Sequence, residues 1–191
     1  MDLVLQIWGG TFYLSNKILL ALSEGRTGSS RKKFKISAWL TYLIGVPAWV
    51  TILVSHQNWI ASSIEAGATP AMLLGLYNAY YDNKKPNKAF NNIVTVITCS
   101  SLIFGLSYSI SYHSGITSIS QVMEVGMMSG FLLGSNYLAK GKNTGWLFFM
   151  LMNMSTAALM LLQEKQILMV QQLLSLFFVM YGYNKTRLKQ N

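Results

Sequence analysis

Residues Trp146–Tyr183 read WLFFMLMNMSTAALMLLQEKQILMVQQLLSLFFVMYGY, two apolar runs joined by a tight polar turn at Gln163–Gln166. A helix needs roughly 20 residues at about 1.5 Å rise each to cross a ~30 Å hydrocarbon core, and each run is about that long. Few polar side chains interrupt them, chiefly Asn153, Gln171 and Gln172. A polar group in lipid is costly without a partner or a cavity, so these residues are the first candidates for function.

A second copy of the hairpin lies upstream. Setting Trp146 on Trp39 and keeping that offset without a gap puts Leu147 on Leu40, Ile167 on Ile60, Gln172 on Glu65, Ser175 on Ala68 and Gly182 on Gly75. Identities are few. What marks a duplication is that a Trp, a polar residue inside an apolar run and a Gly keep the same spacing across two helices and a turn. Internal repeats of this kind recur in transporter folds.

Of the 191 residues, 52% are hydrophobic and only 11% charged, against about 25% charged in an ordinary soluble domain. The composition belongs in lipid. Cys99 is the sole cysteine, so an intrachain disulfide is excluded. His56 and His113 fall in short turns without metal-ligand spacing. There is no Ser/His/Asp spacing and no glycine-rich phosphate loop, so no enzyme, cofactor or metal is expected.

Read in order, residues 3–22 form a moderately apolar helix. A signal peptide is the competing reading, but the leading residues carry Asp2 and no Lys or Arg, and Lys17 lies deep in the run. A retained span is expected, with Lys17 snorkelling to the nearer interface. Residues 23–35 read as a basic loop. Helices are expected over 36–54, 59–81, 90–112 and 117–139, followed by the quoted hairpin and a basic tail from Lys185. Pro47 and Pro70 lie inside the second and third helices. The fifth carries Gly126, Gly130 and Gly134, a small-residue series that lets a neighbouring backbone approach closely.

Basic residues fall on one side of this arrangement. Arg26, Arg31, Lys32, Lys33, Lys35, Lys84, Lys85, Lys88, Lys140, Lys142, Lys185, Arg187 and Lys189 sit in loops one, three and five and in the tail; the opposite side holds Lys165. Positive residues favour the cytoplasmic face, so seven spans with the N-terminus outside and the C-terminus inside satisfy every loop. The net charge of +9 is thereby explained as an orientation signal. No aromatic-interleaved basic patch accompanies it, and a nucleic-acid partner is not expected.

Seven spans with a duplication imply an all-α polytopic membrane protein of two parallel three-helix bundles, 1–81 and 117–191, joined by a linker helix over 90–112. That is the SWEET-type arrangement, with substrate bound near the midplane between the bundles. The turn YLAKGKNTGW (137–146), then Asn153, then Gln172 nine residues ahead of Tyr181-Gly182, resembles the nicotinamide riboside transporters of the PnuC type. In that family a basic turn leads into a W-x-x-W-x-x-x-D/N pattern, and the last helix carries a Gln ahead of a Tyr-Gly-Trp/Tyr ending. Here Trp146, Asn153, Gln172 and Tyr181-Gly182-Tyr183 take those places, and Phe149 stands where the family has its second Trp. The resemblance is clearest over about 50 C-terminal residues. It implies facilitated diffusion of a vitamin precursor, nicotinamide riboside or in some branches thiamine.

The candidate substrate-binding residues are Gln172, Asn153, Glu65, Trp146, Phe149, Glu124 and Trp39. Each has a plainer reading beside it. Glu65 and Glu124 suit structural carboxylates near the outer headgroups, Asn153 suits helix-to-helix glue, and Trp39, Trp59 and Trp146 suit interfacial anchors at helix starts. Glu65 and Gln172 are expected to face each other across the pseudo-axis, and Trp146 and Phe149 to share one helix face. The expected function is an alternating-access facilitator in a bacterial-type inner membrane, carrying a small metabolite such as nicotinamide riboside. A same-fold carrier for a sugar or thiamine and a non-transporting partner or sensor subunit are the alternatives. Homo-oligomerisation stays open.

Overall fold

The structure, a computed structural model, describes residues 2–55, 59–82, 87–112, 114–115, 118–162, 164 and 166–188. Among them are seven α-helices and no strand: α1 (Asp2–Glu24), α2 (Gly28–Ser55), α3 (Trp59–Tyr80), α4 (Lys88–Tyr112), α5 (Ile119–Ala139), α6 (Thr144–Leu162) and α7 (Gln166–Arg187). The helix count and order agree with the apolar runs. By length and composition, α4 and α6 are apolar enough to cross a membrane.

Local chemistry sets several helix ends. The Ser118 side chain accepts from the Gln121 amide at 3.2 Å and opens α5. At the other end Gly141 adopts φ +71°, a left-handed conformation that glycine takes without strain. The amides of Gly141 and Lys142 then donate back to the carbonyls of Leu138 and Tyr137, each at 2.9 Å, and close the last turn.

The start of α2 departs from the sequence reading. The segment Gly28–Lys35, expected as loop, is helical, so α2 has 28 residues and is about 42 Å long. Trp39 therefore sits well inside its helix rather than at its start. The cause is tertiary. Arg31 and Lys35, one turn apart, reach the Glu24 carboxylate at the end of α1 at 2.7 and 2.9 Å. Their charges are neutralised on one helix face instead of repelling in solvent. Both α2 and α3 run through their prolines unbroken.

The helices form a closed ring. α1 packs on α2, α2 on α3, α3 on α5, α5 on α6, α6 on α7, and α7 returns to α1. Each contact in the first triplet has its counterpart in the second, and the two seams between triplets, α3–α5 and α7–α1, are equivalent. α4 lies outside this ring and, among the described residues, touches only α3 and α5. Single amides stitch the elements: Asn16 donates to the Ala38 carbonyl (2.9 Å), Asn78 to Ala139 (2.8 Å) and Gln171 to Gly10 (3.2 Å). Gln171 is thus the helix glue its position suggests.

The Trp–Gly spacing of the repeat has a physical object. A Cβ on Gly75 would fall inside the Trp39 indole, and one on Gly182 would meet the Trp146 indole at 2.7 Å. Both indoles are buried, 2% and 1% exposed. They are packed against glycine inside each triplet, not anchored at an interface. The glycine series of α5 packs on α6: a Cβ on Gly130 would lie 2.6 Å from the Phe148 carbonyl and the Met152 amide, so the two backbones touch.

The core is mainly apolar, yet large apolar side chains also cover much of the outside and several polar ones lie within. The outside carries Ile93, Val96, Ile103, Phe104, Leu174 and Phe177, all more than half exposed, while Asn16, Lys17 and Asn153 are wholly buried.

Candidate functional site

The middle of the ring is organised by Lys17, which the sequence reading sent to the interface. It is 0% exposed. Its Nζ lies 3.2 Å from the centroid of the Phe149 ring, 4.8 Å from that of Tyr42 and 4.9 Å from that of Tyr13. Three helices, α1, α2 and α6, thus supply an aromatic cage for one ammonium. The cage is itself braced. Tyr13 and Tyr42 meet edge to face at 5.6 Å, Tyr42 meets Phe131 of α5 at 6.0 Å, and the Tyr13 hydroxyl donates to Met152 Sδ at 2.9 Å. Aromatic faces carry negative potential, which stabilises a cation held over them.

The cage satisfies the charge but not the hydrogen-bonding capacity of Lys17. Its Nζ has no hydrogen-bond partner among the described residues. Glu65, on α3, acts on Lys17, Tyr13 and Tyr42 electrostatically, yet no ion pair closes between the two, and Glu65 Oε1 is also buried without a hydrogen-bond partner. Asn153 Oδ1 on α6 shares that condition, as does Gln172 Oε1 on α7. Buried polar atoms are normally paired, so a cluster of orphans marks a place where ligand or solvent completes the bonding.

The predicted residues divide accordingly. Phe149 and Asn153 belong to the centre: Phe149 forms the cage, and Asn153, one turn on, donates its Nδ2 to the Phe149 carbonyl at 2.7 Å and leaves Oδ1 unbonded. Glu65 completes it from α3. Gln172 sits on α7, which shares no contact with α3 among the described residues. Trp39 and Trp146 pack on Gly75 and Gly182. Glu124 is exposed on the outside of α5, away from the centre. The Trp59 side chain, His56 and His113 lie outside the described residues.

Sequence reasoning missed Lys17, Tyr13 and Tyr42. One signal was available: an apolar chain with a lysine inside one run and a glutamate inside another has the opposite charges needed for a buried pair.

A crevice lies elsewhere. It holds about 250 Å³ between α3 and α4, lined by Ser63, Ile64, Ser100, Ser101 and Phe104. Comparison with family models, with curated proteins and with solved structures gives no match.

Proposed function

We propose that this chain is an integral membrane transporter of three-one-three architecture, which moves a small metabolite through the centre of its helix ring. One observation carries it: Lys17, Asn153 and the Glu65 carboxylate oxygen are buried at the centre of a body whose outer surface is apolar. Charged and amide groups are tolerated at membrane depth where they face an interior that gives them partners. The equivalence of the two seams supports alternating access, in which one triplet rocks against the other about α3–α5 and α7–α1. The one-sided basic loops support a cytoplasmic C-terminus. Nicotinamide riboside is the cargo implied by the Trp146, Asn153, Gln172 and Tyr181-Gly182 pattern.

The test is uptake of labelled nicotinamide riboside by vesicles holding the purified protein, beside Asn153→Ala and Gln172→Ala. Saturable uptake above empty vesicles, reduced at least about tenfold in Asn153→Ala, is expected, a loss of about 1.4 kcal/mol in transition-state binding. Uptake equal to empty vesicles removes this cargo. A thermal-shift screen over vitamins and sugars then separates a related carrier from a protein that carries nothing, since ligand binding raises apparent stability.

A further inference from the structure

The Lys17 cage fits its occupant badly in one respect. A primary ammonium brings three N–H donors, and none finds an acceptor among the described residues. A cation without N–H donors would gain the same attraction from the Phe149, Tyr42 and Tyr13 faces and leave nothing unsatisfied. Glu65 stands near with its Oε1 unbonded, a carboxyl group not committed to any ion pair.

We propose that Lys17 is the resting occupant of an organic-cation site: a quaternary or aromatic monocation replaces it over the Phe149 ring beside Glu65, and Lys17 releases one proton to water as it withdraws. The charge balances. Before exchange the centre holds the Lys17 ammonium and the Glu65 carboxylate; afterwards it holds the bound cation, the same carboxylate and a neutral amine. Two cations in one low-dielectric cage would repel strongly, so the proton leaves rather than the second charge accumulating. The titratable groups facing the cage are Tyr13 from α1, Tyr42 from α2 and Glu65 from α3. From α5 and α6 it is faced by Phe131, Ser135, Phe149 and Met152, which carry no proton to exchange in this range. α7 approaches α1 through the neutral amide of Gln171. The inference rests on the transporter reading for its purpose and makes cargo entry a cation-for-proton exchange.

The experiment is calorimetric titration of the full-length protein in detergent with N-methylpyridinium, repeated in buffers of different ionisation enthalpy. About one proton released per cation bound is expected wherever Lys17 is charged before binding, with affinity rising as pH rises through its titration. Lys17→Met should bind the cation without proton release and without pH dependence. Lys17→Arg keeps its charge at every pH and should not bind. Glu65→Gln should weaken binding at least tenfold. A pH-independent affinity, no binding by the wild type, or binding by Lys17→Arg equal to wild type would overturn the proposal, and these hold even if Lys17→Met fails to fold. Because binding is read in detergent, binding without vesicle uptake removes the transporter reading and leaves the cation site standing; uptake without proton release does the reverse.

Discussion

Trp39 and Trp146 each lie across a helix whose facing residue has no side chain, Gly75 and Gly182. A methyl at either glycine must displace a buried indole, and overpacking of this kind costs about 1–3 kcal/mol. Gly75→Ala and Gly182→Ala should each lower the detergent melting temperature, and pairing Gly75→Ala with Trp39→Phe should recover part of the loss. An unchanged melt in both single variants would show that the indoles are free to move. These pairs were legible, because a fixed offset carries Trp and Gly together. Their purpose was not: a Trp expected at the start of an apolar run reads as an anchor, and only the packed neighbour shows it as core. Lys17 was opaque for a similar reason. A lysine several residues from a helix end can reach water along its stem, and whether it turns inward depends on Tyr42 and Phe149, which are distant in sequence and adjacent only in the fold.

At the scale of elements, the α1–α2 junction is held by ionic contacts. Burial alone would raise the Glu24 carboxyl, but Lys35 and Arg31 together hold it below its ordinary value. A depressed acid contributes stability that is present above its unfolded value, 4.5, and lost as pH falls through the folded one. The junction should therefore loosen below about pH 4.5, measurable as lower amide protection, relative to the intrinsic exchange rate at each pH, in residues 24–31. Glu24→Gln should flatten that acid dependence and cost about 1–3 kcal/mol at neutral pH, the range for hydrogen bonds to charged groups. Equal protection in both proteins at pH 4 and pH 7 would deny the bridge its role. The same residues explain the misread boundary: Arg31–Lys35 looks like a solvated loop until Glu24 is brought against it.

Over the whole molecule, the apolar runs disclosed the seven helices, because such runs are properties of long segments. The centre was only half legible, since its bonding depends on side chains from α1, α2, α3 and α6 meeting. The orientation can be checked in a Cys99→Ser background with Ser55→Cys, at the end of α2, and Thr27→Cys, in the turn before it. A membrane-impermeant maleimide applied to intact cells should label the Ser55 position and spare the Thr27 position. The reverse pattern would place the basic loops outside and remove the topology.

α4 has a consequence for origin. Three helices leave a chain at the opposite end from where it began, so a second triplet can start in the same direction only after an odd crossing, and α4 supplies it. Since the wall closes without α4, each triplet already offers both complementary edges. A half-length polypeptide carrying one triplet would have what it needs to pair with itself.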